Sequence, residues 1–336
     1  LTDGELGEQR AKRLCILPKF RDAEAAQAKA ESGNQHEQNP RTLRKTCFEM
    51  NLLSLTTAIV IHLAALAVKA ETNDFLFIDN GALRLGVKKS SGAGIAWFSQ
   101  SGANKNLINH WDRGRLIQQS YYGNEDGSLW DKQPWRWNPV QGGDWRGSGA
   151  KALELRSTTN SLYSKTLPKN WAGGQDLTNT VMEQWITLTG AVAHVRFRFN
   201  YTGDIAHEVR DQEIPAVFVE PEFKHLMLYD GNKPWTSQPL SRSIPGWPNE
   251  GRKMTEHWAA YVNENDFGIG VLVPVANSLT CYRFGDGKRE HGSCSYFSPL
   301  TKFSIKPGFI FEYDAYLTIG SVDEIRDRFK RAANPR

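Results

Sequence analysis

Long runs of basic charge are missing from this chain. It holds 41 Lys/Arg against 37 Asp/Glu, a formal net charge of +4. Residues 1–70 carry 10 and 8 of these, so residues 71–336 carry about +2. A nucleic-acid binder would show a basic field, and no nucleic-acid partner is expected. Metal spacing is also absent: there is no His-x-x-x-His and no EF-hand loop. No metal or other cofactor is therefore expected. Asp126 and Asp286 lie in Gly-containing turns, where a structural calcium is conceivable but nothing beyond a plain turn is indicated. No P-loop, GxGxxG or Gly-x-Ser-x-Gly occurs. No repeat of fixed period is present, and no linker divides residues 71–336.

Cysteine is scarce, with four residues: Cys15, Cys47, Cys281 and Cys294. The last two flank GDGKREHG. In an oxidising compartment a disulfide could close that loop; two reduced thiols in adjacent strands are the alternative. No Cys/His pair accompanies them, so they make a poor zinc site.

One apolar run stands out. Residues 52–68, LLSLTTAIVIHLAALAV, contain no charge and lead into Val68-Lys69-Ala70. Arg41, Arg44 and Lys45 form a basic flank. This is a secretory signal pattern with cleavage expected after Ala70. A single membrane anchor is the alternative, but the run is at the short end for spanning and no basic stop-transfer cluster follows. The expected organisation is therefore a disordered or non-native leader over 1–49, a signal peptide over 50–70, and one β domain over 71–336. The expected location is secreted or periplasmic.

Beyond Ala70 the pattern is strand and turn. Residues 74–87 form two strands around Asn80-Gly81, a strong hairpin signal. Residues 180–188 and 191–201 form a second hairpin. In it Val195, Phe197 and Phe199 alternate with His194, Arg196, Arg198 and Asn200, which places the apolar side chains inward and the basic ones in solvent. Pro215 marks an edge strand or a bulge within 213–220. Ser321 with Glu324 fits a capping box, and Ile325 with Phe329 gives an i,i+4 apolar pair, so a short helix ends the chain. The expected fold is all-β, a large antiparallel sandwich with a C-terminal helix.

What the chain has in abundance is tryptophan, and five of its eleven lie in residues 109–145: Trp111, Trp130, Trp135, Trp137 and Trp145. Between them stand Arg113, Arg115, Gln118, Gln119, Tyr121, Tyr122, Asn138, Gln141 and Asp144. Flat aromatic faces beside planar hydrogen-bonding groups suit a sugar, whose C–H face stacks while its hydroxyls need donors and acceptors. Packing in a β-rich core is the competing use. Residues 113–122 are expected as a strand presenting Arg113, Arg115, Ile117, Gln119 and Tyr121 on one face. Residues 123–149 are expected as a long loop closing over that face.

Two stretches carry a resemblance: DNGALRLGVKKSSGAGIAWFSQSGANKNLIN (79–109) and WAAYVNENDFGIGVLVP (258–274). They resemble the opening and a recurring strand–turn–strand of the galactose-mutarotase-like superfamily of carbohydrate-active proteins. The resemblance implies a β-supersandwich with a sugar or polysaccharide on a concave sheet. Epimerases of that superfamily use a histidine acid and a glutamate base, and this chain departs from their motifs. Fold and ligand class carry over, rather than simple aldose epimerase activity.

The candidate catalytic residues are Glu256, His257, Tyr121, Arg115 and Glu213. Glu256 and Trp258 share a strand face, where an aromatic wall would raise a carboxyl pKa for general acid–base work. Asp211 and Glu213 also share a face, and paired carboxylates serve glycoside hydrolysis. Arg115, Gln119 and Tyr121 match what a lyase needs to neutralise a uronate carboxyl as its proton leaves. Glu183 and Trp185 repeat the carboxylate–tryptophan pairing. Candidate substrate-binding residues are Gln118, Gln119, Tyr122, Trp135, Trp137, Asn138, Gln141, Asp144, Trp145 and Trp258. The expected function is cleavage of a poly- or oligosaccharide by a lyase or hydrolase; the alternative is a non-catalytic carbohydrate-binding protein.

Overall fold

The structure is a computed structural model that describes residues 73–333. The expected leader and signal lie outside the described residues. Among those residues, no helix is long and apolar enough to cross a membrane.

Two large antiparallel sheets make up the fold, as expected from the alternation. The first contains β1 (Phe75–Asp79), β2 (Leu83–Lys88), β3 (Gly94–Gln100), β4 (Ile117–Ser120), β13 (His207–Val219), β20 (Cys294–Ile305), β19 (Ser278–Phe284) and β16 (Glu250–Lys253), in that order. Two short strands, β7 (Pro139–Val140) and β10 (Lys169–Asn170), branch from β4. The second runs β15 (Ser241–Ser243), β14 (His225–Leu228), β17 (Trp258–Val262), β18 (Phe267–Leu272), β21 (Ile310–Ser321), β12 (Val192–Tyr201), β11 (Thr180–Thr189), β9 (Ser161–Leu167), β8 (Lys151–Ser157). A separate hairpin joins β5 (Glu125–Trp130) to β6 (Gln133–Arg136).

The core lies between the two sheets. Leu85, Val87, Phe98, Ile117, Val217 and Phe297 come from the first, and Met182, Ile186, Val195, Phe197, Phe199 and Leu317 from the second. Each such side chain stabilises the fold by roughly 1.5–3 kcal/mol on burial. Because side chains alternate, the residues between these point to the outer faces. On β13 and β20 those are Ala216, Phe218, Cys294 and Tyr296, which form a separate apolar cluster. On β17 they are Trp258, Ala260 and Val262, packed against the terminal helix α1 (Val322–Ala333) through Ile325 and Phe329. The capping box is formed: the Ser321 amide donates to Glu324 Oε2 at 2.9 Å.

Three local expectations are corrected. Regular pairing of residues 113–122 covers only Ile117–Ser120, and Asp112 Oδ1 instead accepts the amides of Gly114 and Arg115 in a turn. The 123–149 segment is no featureless loop, since it contains β5, β6 and β7. Cys281 and Cys294 are buried free thiols. The register explains this: Cys281 faces Phe297 and Cys294 faces Phe284 across β19–β20. A three-residue offset puts them on opposite faces of the sheet. Pro215 lies at a bulge, the register shifting between Glu213 and Val217, in a strand flanked on both sides by β4 and β20.

Candidate functional site

The outer face of the first sheet is where chemistry-bearing side chains gather. Ser120 on β4 stands opposite Glu213 on β13, and Phe218 stands opposite Tyr296 on β20. Glu213 is half-buried. Its Oε1 accepts the Tyr122 hydroxyl at 2.9 Å and the Tyr296 hydroxyl at 2.6 Å. Burial pushes the carboxyl above its ordinary pKa, and the bonds from Tyr296, Tyr122 and Ser120 oppose that shift only in part. Burial and the neighbouring Glu213 in turn hold the Tyr122 phenol well above its ordinary range. The result is a carboxyl whose pKa is raised, held between two phenols whose pKa values are also raised.

Aromatic rings continue this face. Tyr282 lies 4.5 Å from Tyr296 and 6.4 Å from Phe218, centroid to centroid. Trp247 meets Tyr282 at 4.8 Å and Phe284 at 5.2 Å, edge to face. Arg115 lies over Phe284 at 5.6 Å, pairs with Asp112 at 3.2 Å, and donates to the Gly292 carbonyl. At the far end of β13, alternation places Glu220 on the same face as Phe218. Glu220 is 5% exposed, with Arg289 Nε 3.1 Å from Oε1. Burial pushes its pKa up to about 7 against the opposing pull of Arg289.

The tryptophan-rich stretch flanks Glu213. Trp130 meets Trp135 at 4.8 Å and Trp171 at 6.3 Å. The Trp135 indole donates to Asn138 Oδ1 at 3.2 Å, and Asn138 Nδ2 donates to the Tyr121 carbonyl at 2.7 Å and to Ser120 Oγ at 3.3 Å. Ser120 bonds Glu213, so one chain of polar contacts links the wall to the carboxyl. Arg136 is close enough to act electrostatically on Tyr122.

Several expected binding residues serve the backbone instead. Gln118 Nε2 donates to the carbonyls of Arg113 and Gly114, while its Oε1 accepts the Gly142 amide at 2.6 Å. Gln141 Oε1 accepts the Gln119 amide at 3.2 Å, and its Nε2 donates to the Gly92 carbonyl at 3.3 Å. Gly92 has φ 53°, and a Cβ there would lie 1.9 Å from the Gln141 carbonyl oxygen. Asp144 Oδ1 accepts the amides of Arg146 and Ser148. Irregular backbone that is buried needs such partners. Trp145 donates to the Ala172 carbonyl, and Trp137 stacks on His207 at 4.2 Å inside the core. Asp126 and Asp286 accept the amides of Ser128 and Lys288 in their own turns.

The remaining expected residues lie elsewhere in the fold. Gln119 and Tyr121 share the Ile117 face, which is the core. Tyr121 is fully buried, with its hydroxyl on Gln119 Oε1 at 3.0 Å. Glu256 is 0% exposed and ion-paired to Arg326 at 2.7 Å, and it accepts the Trp258 indole at 2.9 Å. Trp258 packs against Phe329 of α1 at the second sheet, away from Glu213. His257 Nδ1 bonds the Ala276 carbonyl at 2.7 Å. Arg115, Gln118, Tyr122 and Glu213 are among the expected residues that do reach the outer face of the first sheet, Gln118 standing opposite Ala216. Glu220, Tyr296, Tyr282 and Trp247 were not expected. Continuing the alternation from Phe218 one step further would have found Glu220.

Comparison with solved structures gives likenesses at TM-scores below 0.5 and low sequence identity. The chain is similar to galactose-mutarotase-like proteins. A galactose mutarotase related enzyme from Lactobacillus acidophilus matches at TM-score 0.48 and 11% identity, over 74% of this chain and 97% of that one. A galactose mutarotase-like protein from Lactobacillus casei matches at TM-score 0.48 and 10% identity, over 73% and 99%. A 4-alpha-glucanotransferase from Thermococcus litoralis matches at TM-score 0.43 and 11% identity, over 73% of this chain and 37% of that one. No family model and no curated sequence matches.

Proposed function

We propose that this chain is a secreted or periplasmic enzyme that binds a poly- or oligosaccharide on the outer face of its first sheet and cleaves it. Glu213 transfers the proton. The observation that carries this reading is the Glu213 carboxyl itself, held by Tyr122 and Tyr296 at 2.9 and 2.6 Å beside the aromatic cluster of Phe218, Tyr282 and Tyr296. A carboxyl with a raised pKa can give its proton to a glycosidic oxygen as the C–O bond breaks. The aromatic rings of Trp135, Tyr282 and Trp247 offer stacking faces for the sugar units on either side.

The second group decides between hydrolysis and elimination. Glu220 is seven residues from Glu213, roughly 20 Å along a strand, too far for a glycosidase pair separated by about 5 to 9.5 Å. Asp211 is two residues away on the same face and exposed, about 7 Å by the same spacing. Hydrolysis therefore uses Asp211 to activate water. Elimination uses ionised Glu213 to take the proton beside a uronate carboxyl and return it to the departing glycosidic oxygen as the C–O bond breaks and the double bond forms, with Arg136, near Tyr122, neutralising the carboxyl. The test is a panel of neutral and uronate glycans incubated with the native chain and with Glu213→Gln, scored for reducing ends and for unsaturated ends. Binding without either product across the panel overturns the enzymatic reading in favour of a binding protein.

A further inference from the structure

The second sheet has an outer face too, and α1 covers only part of it. The helix packs over β14, β17 and β18, with Tyr316 of β21 at its border. Among the described residues, no helix packs over the half formed by β8, β9, β11 and β12. On it Trp185 of β11 is 37% exposed and stands opposite Tyr163 of β9, their rings 5.2 Å apart at 41°. Tyr163 stands opposite Arg156 of β8, whose guanidinium lies 4.9 Å from the Tyr163 ring. The Tyr163 hydroxyl donates to Glu183 Oε1 at 2.6 Å, which fixes the ring. Trp185, Tyr163 and Arg156 thus form a row across three neighbouring strands.

We propose that this row is a second carbohydrate-binding surface, on the side of the sandwich opposite the Glu213 face, that holds an extended neutral glycan. The charges argue for a neutral ligand. Arg156 pairs with Glu154 at 2.7 Å, Arg198 with Glu312 at 3.4 Å, His194 with Asp314 at 2.8 Å, and Arg196 with Glu312. With Lys165 standing opposite Glu183 and Glu154, the charges of both signs on this face balance and have little to offer an anion or a cation. The apolar content argues against a protein partner. The large hydrophobic side chains exposed on these four strands are Trp185 and Leu153, whereas a stable interface buries about 800 Å² per partner around an apolar core. Two aromatic rings tilted to one another and flanked by a guanidinium and a carboxylate match the C–H face and hydroxyl rim of a sugar ring. The surface rests on the carbohydrate reading above, but it is separable from the Glu213 site because the two lie on opposite faces.

The test is native gel electrophoresis through gels containing a soluble β-glucan, a xylan or a galactomannan. Native chain, Trp185→Ala, Tyr163→Ala and Glu213→Gln are run together, with circular dichroism confirming the fold of each. The expected result is retardation of the native chain by at least one polysaccharide. Apparent affinity falls about tenfold in Trp185→Ala and less in Tyr163→Ala, while Glu213→Gln is retarded like the native chain. Glycan cleavage by Trp185→Ala stays at the native rate for a short oligosaccharide and falls for the polymer. Retardation that is unchanged in Trp185→Ala overturns the proposal. Absence of retardation in all three gels also overturns it, and leaves the Glu213 reading to be judged by its own turnover assay.

Discussion

Arg326 closes on Glu256 with two bonds, Nη2 to Oε1 at 2.7 Å and Nε to Oε2 at 3.1 Å, in the seam between α1 and the second sheet. The same carboxylate accepts the Trp258 indole at 2.9 Å and the Trp235 amide at 2.6 Å. A fully buried carboxylate with four donors is a structural anchor. Removing its cation leaves a buried charge without its counterion, at a cost of about 3–5 kcal/mol. Arg326→Met is expected to lower the urea midpoint accordingly, with the melting of α1 leading the loss. A midpoint equal to the native one would show that the pair does not hold the helix.

Gln118 fastens the strand start to the loop that follows β7. Its three bonds reach the Arg113 and Gly114 carbonyls and the Gly142 amide. Gln118→Leu fits the volume but leaves those backbone groups buried and unpaired, at about 1–3 kcal/mol each. The expected outcome is faster protease cleavage within residues 141–149, with little change at the β11–β12 turn.

Buried Glu220 and partly buried His110 give opposite pH signatures. Glu220 has its folded pKa raised from 4.5 to about 7. Between those values the folded chain binds the extra proton, so this contribution to stability is full below about pH 4.5 and is lost as pH rises through about 7. His110 has its pKa lowered from 6.5 to about 4, burial being the main cause. There the unfolded chain binds the extra proton, so stability rises with pH across that window. Thermal unfolding across this range is expected to show Glu220→Gln more stable than native near pH 7. His110→Gln is expected to gain relative to native near pH 5. A reversed order would contradict the burial of these two groups.

How much of this could be read from the sequence depends on how local the determining contact is. Alternation in Val195, Phe197 and Phe199, the Asn80-Gly81 turn and the Ser321/Glu324 cap are encoded within a few residues, and all three appear as expected. The site was harder. Counting Arg113 and Arg115 into the strand makes the shared face of Ile117, Gln119 and Tyr121 look polar, but the strand begins only at Ile117 and that face is core. Glu256 beside Trp258 reads as a catalytic pair until Arg326, 70 residues away, takes the carboxylate. Tyr296 reaches Glu213 from 83 residues downstream. No pattern within one strand reports which strand will lie beside it.

Cys281 and Cys294 lie on opposite faces of one sheet, and burial pushes their thiols up to about 12 and about 11. Both are expected to resist alkylation in the native chain and to react in denaturant without prior reduction. Peptide mapping after iodoacetamide distinguishes the cases. A disulfide-linked peptide pair would contradict the register across β19 and β20.

The role of Glu213 is decided by one comparison: initial rates of glycan cleavage by the native chain and by Glu213→Gln, on the best substrate from the panel, across pH. Removing a positioned acid or base lowers the rate by about 10²–10⁴-fold. Glu213→Gln should show that loss with binding of the glycan retained, and the native profile should fall on the alkaline side as a carboxyl with a raised pKa ionises. A Glu213→Gln chain that cleaves at the native rate would remove Glu213 from the chemistry and leave the outer face of the first sheet as a binding surface alone.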